Sequence, residues 1–321
     1  MQYRSLGSSG LCVAPVILGG NVFGWTADEA TSFAVLDAAT GAGLNAIDTA
    51  DVYSRWEPGH TGGESETIIG RWLKARPGKR QKLVLITKVG FDMGSDAAGA
   101  PAVGLSARWI EQAVEDSLRR LGVETIDHYF SHWPDDATPH EETLTAYDRL
   151  IKAGKVRSIG ASNFSVAQLE NALAIADRHS LPRYTSIQPK YNLYDRATLE
   201  GPLLALCQAQ GLGVIPYYGL ACGFLSGRYR SVKAAAGKAR QNRLESYMTP
   251  RGFRILGALD AVAARHGANP AQVALAWVAA QPGLTGPIAS ATSVDQVADL
   301  VGAAALILNL EDLKDLGAAS A

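Results

Sequence analysis

The sequence contains six short apolar runs, each of which ends at a polar residue. Such a run, followed by a helix-patterned stretch and then by the next run, is typical of a parallel β/α barrel, in which the strand ends meet at one rim. The pattern therefore predicts one pocket built from many separate segments. The runs are NAIDTA at Asp48, KLVLITK at Lys88, IDHYFSH at His132, RSIGASN at Asn163, TSIQPK at Gln188 and LGVIPYY at Tyr217.

Two further runs, PVILGG and LTGPIAS, bring the number of predicted strands to eight. The stretches between the runs have helical spacing and carry helix-end signals. One predicted helix begins after Ser106 and stops at Gly122, and another opens with a capping box formed by Ser165 and Gln168. We therefore expect a (β/α)8 TIM barrel that forms one domain over residues 1–321.

Three segments depart from this repeat. Residues 1–13 contain a GSSG turn and predict a β-hairpin that plugs the lower end of the barrel. Residues 226–249 form a long, basic and weakly patterned loop, which is either a lid and specificity segment or a solvated surface loop. The C-terminal LNLEDLKDLGAA predicts an extra helix outside the barrel.

Composition narrows the class of protein. The 321 residues include 30 basic and 31 acidic side chains, so the charge balance does not indicate a nucleic-acid or polyanion partner. The cysteines, Cys12, Cys207 and Cys222, are widely spaced and suit a reducing compartment better than a disulfide framework. No run reaches the ~18 apolar residues of a membrane span. We expect a cytoplasmic protein without membrane partners, a monomer by default.

Four side chains near the ends of the early strands suit proton transfer to a carbonyl group. They are Asp48, Tyr53, Lys88 and His132. A tyrosine with a pKa of about 10 donates poorly near neutral pH, and a nearby ammonium group lowers that pKa. Lys88 is the candidate cation, Asp48 would keep it charged and oriented, and His132 would position the substrate oxygen.

Each of these residues taken alone has a structural interpretation, for example a helix cap for Asp48 or a core histidine for His132. Their joint placement at successive strand ends favours the catalytic interpretation. A metal-dependent hydrolase is an alternative, because His128 and His132 fall on one strand face. No second cluster of ligands accompanies them, which argues against a metal site.

Seven strings resemble the aldo-keto reductase family, in order and over nearly the whole chain. They are NAIDTADVY, GESETIIGRWL, LITK, DHYFSHWPD, GKVRSIGASNFS, QPKYNL and PYYGLACGFLSGRY. The resemblance implies a (β/α)8 barrel that binds NADP(H) or NAD(H) without a Rossmann domain, and the sequence has no G-x-G-x-x-G. It also implies reduction of an aldehyde or ketone to an alcohol, or the reverse, with Tyr53 as the general acid, tuned by Lys88 and Asp48, and His132 orienting the carbonyl.

The resemblance also assigns residues to the cofactor. Ser162, Asn163 and Gln188 match the residues that hold the nicotinamide carboxamide, and Tyr217 matches the aromatic residue that stacks on the ring. Gly20 and Asn21 resemble the start of the cofactor groove. The segment from Tyr218, Gly219 and Leu220 to Arg228 resembles the pyrophosphate loop, with Arg228 as its cation, although YYGL replaces the commoner YSPL.

The adenosine end departs from the family pattern. Ala289, Ala291 and Leu300 stand where a glycine, a basic residue and an asparagine are common, and polar groups remain at Ser290, Thr292 and Gln296. Gln296 also has a structural interpretation as part of a capping box with Ser293. Because the aligned cation is missing, we expect little discrimination between NADPH and NADH.

The substrate is less constrained by the sequence. Phe23, Trp25, Trp56, Phe91 and Trp133 lie just beyond strand ends and could line an apolar mouth, with Trp25, Trp56 and Trp133 as the candidate substrate contacts. Such a mouth suits a hydrophobic aldehyde or ketone, or a sugar ring. The same residues would also serve a cofactor-bound regulatory subunit on this fold, as in the potassium channel β subunits.

Overall fold

Eight parallel strands form the centre of the protein, as the sequence predicts. The structure is a computed structural model and describes residues 1–237 and 240–321. The strands follow one another around the sheet in chain order, with the last beside the first. They are β3 (Ile17–Gly19), β4 (Ala46–Asp48), β5 (Val84–Val89), β6 (Ile126–Ser131), β7 (Val156–Ser162), β8 (Tyr184–Gln188), β9 (Gly213–Val214) and β10 (Ile288–Ala289), after a hairpin of β1 (Arg4–Ser5) and β2 (Cys12–Val13).

Backbone hydrogen bonds join the two edge strands of this sheet. The Thr285 amide donates to the Val214 carbonyl at 2.8 Å, and the Ile288 amide donates to the Pro216 carbonyl at 2.8 Å. On the other side β10 pairs with β3, with Ile288 opposite Ile17. The (β/α)8 barrel is therefore closed, and the carboxyl ends of all eight strands lie at one rim.

Helices alternate with the strands and bury their apolar faces against them. Ser106 accepts from the Trp109 amide and Gly122 ends that helix at φ 64°, and the Ser165–Gln168 capping box is formed, as predicted. No helix in the described residues is long and apolar enough to cross a bilayer. The helices are α1 (Glu29–Gly41), α2 (Glu64–Ala75), α3 (Ala107–Leu121), α4 (His140–Lys152), α5 (Val166–His179), α6 (Pro202–Ala209), α7 (Val232–Ala235), α8 (Gln241–Glu245), α9 (Pro250–His266), α10 (Pro270–Ala280), α11 (Val294–Ala305) and α12 (Leu310–Ser320).

The N-terminal hairpin lies at the amino ends of the barrel strands. β1 and β2 pair antiparallel, and the apolar side chains of the hairpin join a separate cluster of buried barrel residues. Because this cluster fills the lower end of the barrel interior, solvent and ligands reach the interior from the rim. The cluster contains Leu6, Leu11 and Val13 from the hairpin and Ile17, Ala46, Val84, Ile86, Phe130, Ile215 and Ile288 from the barrel.

Residues 226–237 and 240–249, the described parts of the segment 226–249, hold more regular structure than the weak sequence pattern indicates. They contain the short helices α7 and α8, and Leu244 and Tyr247 are buried against the barrel layer. The Tyr247 hydroxyl donates to the Asp195 carboxylate at 2.7 Å. This segment therefore has apolar and polar anchors of its own.

Candidate active site

Four predicted side chains meet at the rim of the barrel. Asp48 ends β4, Lys88 lies near the end of β5, His132 follows β6, and Tyr53 lies in the loop between β4 and α2. The Lys88 ammonium donates to Asp48 Oδ1 at 2.6 Å, to the Thr49 carbonyl at 2.6 Å and to the Tyr53 hydroxyl at 2.9 Å. All three ammonium protons are thus used, and the position of the phenol is set by the buried ion pair.

The pKa of Tyr53 does not follow the expectation from the sequence. Burial raises this pKa well above its usual value, and the nearby Asp48 carboxylate raises it further. Burial also lowers the pKa of Lys88, and the Asp48 carboxylate opposes that effect. The expectation of a lowered Tyr53 pKa is therefore wrong for this structure, because burial of the phenol and the Asp48 carboxylate both act in the opposite direction. Near neutral pH the phenol keeps its proton and can donate it.

His132 lies beside the phenol as a neutral imidazole. Its ring centroid is 5.9 Å from that of Tyr53 and 4.4 Å from that of Phe91. Burial and then the Lys88 charge lower the pKa of His132 well below its usual value. Among the described residues Nδ1 has no hydrogen-bond partner. A neutral ring can offer an N–H donor to an oxygen that approaches Tyr53.

The residues predicted for the carboxamide form one hydrogen-bonded set. Gln188 Nε2 donates to Asp48 Oδ2 at 2.9 Å, and the Ser162 hydroxyl donates to the Gln188 carbonyl at 2.8 Å. Asn163 Nδ2 donates to the His132 carbonyl at 3.1 Å, and the Tyr217 hydroxyl donates to Asn163 Oδ1 at 2.8 Å. The side-chain oxygen of Gln188 accepts from none of the described residues and is free for an amide ligand.

Gly20 and Asn21 connect the first strand to its neighbours. The Gly20 amide donates to the Asp48 carbonyl at 2.7 Å. A Cβ on Gly20 would lie 3.0 Å from the Ser65 hydroxyl and 3.2 Å from the Asp48 carbonyl, so the packing favours glycine there. Ser290 Oγ donates to Asn21 Oδ1 at 2.6 Å. The predicted start and end of the cofactor groove are thus adjacent in space.

The predicted pyrophosphate loop has an unusual backbone. Ala221, Cys222 and Gly223 follow one another with φ of 47°, 58° and 100°, and Tyr218 has φ 63°. The Ala221 amide donates to the Tyr218 carbonyl at 2.7 Å and the Gly223 amide donates to the Leu220 carbonyl at 2.8 Å, so these left-handed residues form a tight turn held by its own hydrogen bonds. Gly219 packs closely, because a Cβ there would lie 2.8 Å from Leu275 Cδ2.

Two arginines of the segment 226–249 border this loop and were not predicted. The Arg243 guanidinium donates to the Tyr218 hydroxyl. The Arg240 guanidinium lies over the Trp25 ring, 5.3 Å from its centroid. The basic composition of the segment was the available signal, but spacing alone could not show which arginines face the rim.

Arg228 lies next to the helix that follows the eighth strand. Its Nη2 atom is 3.6 Å from Asp299 Oδ2 on α11, and Asn269 Nδ2 donates to Asp299 Oδ1 at 2.6 Å. The sequence interpretation placed Arg228 at the pyrophosphate and found no cation at the adenosine end. The structure places Arg228 beside α11, the helix that carries Gln296, and pairs it with Asp299, one helical turn after Gln296, which the sequence interpretation does not single out.

The capping box predicted for α11 is only half formed. Ser293 accepts from the Gln296 amide at 3.3 Å, but the Gln296 side chain accepts from the Thr292 amide at 3.0 Å rather than from the Ser293 amide. The side-chain nitrogen of Gln296, Nε2, also donates to the Thr292 hydroxyl at 3.1 Å. The side chain therefore reaches one residue further back and ties Thr292 to the start of α11.

Aromatic side chains form two walls above Tyr53 and His132. On one side the Trp25 and Trp56 centroids are 5.4 Å apart, and the Trp56 and Tyr53 centroids are 6.1 Å apart. On the other side Phe91 and Trp133 centroids are 5.7 Å apart. Trp56 and Trp133 are each 48% exposed. Phe23, in contrast, is fully buried in the main core and does not line the mouth.

His128, considered as a metal ligand, lies inside the barrel. Nδ1 is 2.7 Å from the Ser158 hydroxyl and Nε2 is 2.6 Å from the Ser186 hydroxyl. Burial lowers the pKa of His128 to about 3. Within residues 1–237 and 240–321, no group of three or more His, Cys, Asp or Glu side chains could hold a metal ion. His128 is accounted for as a neutral, hydrogen-bonded core residue.

Known proteins of similar length resemble this chain over most of their sequence. Protein tas of Escherichia coli (strain K12) is 34% identical over 317 residues, which cover 92% of this chain and 91% of that protein. The "uncharacterized oxidoreductase YrpG" of Bacillus subtilis (strain 168) is 36% identical over 318 residues, 98% of this chain and 95% of that protein. A "probable voltage-gated potassium channel subunit beta" of Oryza sativa subsp. japonica is 32% identical over 307 residues, 93% and 90% respectively.

The chain forms a closed parallel barrel that carries this group of side chains at its rim. An oxidoreductase is among its relatives, and together these findings place the protein in the oxidoreductase class. Residues 15–321 match the Aldo/keto reductase family. The chain belongs to that family.

Proposed function

We propose that this protein is an NAD(P)H-dependent oxidoreductase that interconverts a carbonyl compound and its alcohol, with Tyr53 as the general acid or base. The observation that carries this proposal is the contact between Lys88 and Tyr53 at 2.9 Å, with Asp48 on the same ammonium group at 2.6 Å. A bound nicotinamide would supply or accept the hydride. Turnover of carbonyl compounds by the purified protein, followed by NAD(P)H absorbance, tests the proposal.

The proton chemistry follows from these side chains. In reduction Tyr53 donates its proton to the carbonyl oxygen, and the phenolate left behind is stabilised by the Lys88 ammonium at hydrogen-bond distance. The neutral His132 ring donates to the same oxygen and orients it. In alcohol oxidation the same residues act in reverse, with Tyr53 as the base.

The rim offers groups that fit a nicotinamide cofactor. The free Gln188 side-chain oxygen would accept from the carboxamide, beside Ser162 and Asn163, and the Tyr217 ring would stack on the nicotinamide. Tyr218, Gly219 and Leu220, at the start of the tight turn that continues through Ala221–Gly223, would lie along the pyrophosphate, as the family resemblance implies. Gly20 and Asn21 would line the groove, and Ser290, Thr292 and Gln296 would contact the adenosine.

We infer that the enzyme discriminates little between NADPH and NADH. Arg228 lies beside α11, the helix that starts at the predicted adenosine end, and its charge is partly compensated by Asp299 at 3.6 Å. A carboxylate at this place also repels a 2′-phosphate. Comparison of kcat/KM for the two cofactors tests this inference, and a hundredfold preference for NADPH would contradict it.

The aromatic walls favour a substrate with a flat, apolar body. Trp25 and Trp56 on one side and Trp133 on the other would enclose such a body above Tyr53. A hydrophobic aldehyde or ketone, or a sugar ring stacked on tryptophan, fits this mouth. A screen of aromatic aldehydes, ketones and sugars would separate these classes by kcat/KM.

A second candidate function is a cofactor-bound regulatory subunit. The relative from rice named as a probable channel subunit beta favours it, because its similarity extends over most of both chains. Such a subunit would use the same cofactor residues without needing efficient turnover. Absence of turnover on a broad carbonyl panel, with tight NAD(P)H binding intact, would support this alternative.

The three cysteines, Cys12, Cys207 and Cys222, form no disulfide with each other and support a cytoplasmic location. We infer a monomer that acts on small molecules rather than on membranes or nucleic acid. Cell fractionation and sedimentation analysis test these points.

A further inference from the structure

A second ionisable cluster lies behind Lys88 and Asp48, between the barrel strands and the surrounding helices. Thr87 precedes Lys88 in β5, and the side chains of successive strand residues point to opposite faces. Lys88 reaches Asp48 inside the barrel, whereas Thr87 donates to Glu66 of α2 at 2.6 Å. The Asp51 carboxyl, in the loop after β4, belongs to this outer cluster.

The outer cluster has more buried carboxyl groups than cations. Glu66 is fully buried, and its Oε2 accepts a hydrogen bond from Arg120 Nε at 2.7 Å. Asp51 is 1% exposed, and its Oδ1 accepts from the Val52 amide at 2.7 Å. Among the described residues Asp51 Oδ2 has no partner. A buried carboxylate with one unpaired oxygen is costly, so Asp51 is the group of this cluster that holds a proton.

The groups around Asp51 determine the pH at which its carboxyl group ionises. Burial and the Glu66 charge raise the pKa of Asp51 to about 8, against the opposing effects of Arg120, the Val52 amide and Lys88. The phenols of Tyr129 on β6 and Tyr147 on α4 lie close enough for the Asp51 charge to raise the pKa of each. The titratable and charged groups around Asp51 are Glu66 of α2, Lys88 of β5, Arg120 of α3, Tyr129 of β6 and Tyr147 of α4.

The outer cluster contacts Lys88 through the backbone and influences its pKa. The Asp51 amide donates to the Lys88 carbonyl at 3.4 Å, so the two residues are neighbours across β4 and β5. The carboxylates of Asp48, Asp51 and Glu66 all raise the pKa of Lys88, which burial lowers. Asp48 is paired with Lys88 and Glu66 with Arg120, whereas Asp51 has no cationic partner within hydrogen-bond distance among the described residues, so Asp51 is the member whose charge we expect to change as the pH rises.

We propose that Asp51 is a positioning residue for the reaction, which by its own ionisation keeps the proton on the Lys88–Tyr53 pair as the solution becomes alkaline. This role rests on the proposed function. When Asp51 loses its proton, the added negative charge makes loss of a proton from Lys88 or Tyr53 less favourable. The pair therefore stays competent for proton donation to a higher pH than it would beside a permanently neutral residue.

The substitution Asp51→Asn tests this role, because it keeps the shape of the side chain and removes the ionisation. We expect the alkaline limb of kcat/KM for carbonyl reduction to move to lower pH by roughly half to one unit, with activity at lower pH nearly unchanged. Asp92→Asn is the matched control, because the Asp92 side chain is 70% exposed and its charge is screened. A D51N profile that superimposes on the wild-type profile would overturn the proposal, as would a shift to higher pH.

Two NMR measurements keep the test independent of turnover and of the stability of the variant. In the wild-type protein with ¹³C-labelled aspartate, one carboxyl resonance should titrate near pH 8. If all aspartate carboxyls titrate in the ordinary acidic range, the proposal is wrong. In D51N the Lys88 ammonium should lose its proton at lower pH than in the wild type, even if the protein has no carbonyl reductase activity.

Discussion

Gln188 donates a hydrogen bond from its side-chain nitrogen to Asp48 Oδ2 at 2.9 Å, while Asp48 Oδ1 binds Lys88. One carboxylate thus connects the predicted nicotinamide site to the proton-transfer residues. A residue assigned to the cofactor should therefore also influence the chemical step.

Replacing Gln188 should weaken both functions. We expect Gln188→Leu to raise the KM for NAD(P)H and to lower kcat, because the substitution removes the free amide oxygen and one partner of the buried Asp48. Asn163→Ala is the comparison, since the Asn163 side chain bonds His132, Ser162 and Tyr217 and this substitution should affect mainly the cofactor KM. Steady-state kinetics with each substrate varied would separate the effects. An unchanged kcat in Gln188→Leu would contradict the coupling.

Removing the Tyr53 hydroxyl should abolish most of the catalysis and leave cofactor binding intact. General acid catalysis contributes about 10²–10⁴-fold, so kcat of Tyr53→Phe should fall by at least that order. NAD(P)H affinity, measured by fluorescence titration, should stay close to wild type because the ring remains. If this variant turned over at a near wild-type rate, another group would have to be the acid.

Lys88 should be needed for stability as well as for activity. Lys88→Met leaves the Asp48 carboxylate buried without its cation, and breaking a buried pair in this way costs about 3–5 kcal/mol of the free energy of unfolding. Lys74→Met on the exposed face of α2 is the control and should cost little. Urea denaturation compares them. The double variant D48N/K88M should recover part of the loss, and failure to do so would argue against an uncompensated charge as the cause.

The pair of Arg228 and Asp299 should control cofactor choice. Asp299→Asn removes a negative charge 3.6 Å from the Arg228 guanidinium and frees that cation for a 2′-phosphate. We expect kcat/KM for NADPH relative to NADH to rise by roughly tenfold, which corresponds to one charge-assisted hydrogen bond. Arg228→Met should change the ratio in the opposite direction. Equal ratios in wild type and both variants would show that neither residue contacts the adenosine end.

The strands and the group of four rim side chains could be predicted because they are local features of the sequence. Each strand is a short apolar run, and the polar residue at its end is fixed at the rim by the direction of the chain. Asp48 and Lys88 are examples, and the structure brings them within hydrogen-bond distance. Their catalytic roles stay predictions.

The features that were missed depend on distant parts of the chain. Arg240 and Arg243 reach the rim only because Leu244 and Tyr247 anchor their segment against the barrel. The contact between Arg228 and Asp299 joins two loops that no spacing rule connects. The pKa of Tyr53 depends on how deeply the folded protein buries it, which residue types alone do not show.

The two short strands that close the barrel have a dynamic consequence. β9 and β10 have two residues each, and the amides of Thr285 and Ile288 make the hydrogen bonds across this seam. Because so few backbone hydrogen bonds join these two strands, the seam is the place where the ring of strands opens most readily, in contrast to the longer β5 and β6 on the opposite side of the ring. A cofactor lying from Leu220 to Ser290 would span the seam. Binding would then slow amide hydrogen exchange at Thr285 and Ile288, because the ligand would hold β9 and β10 together where the barrel is weakest.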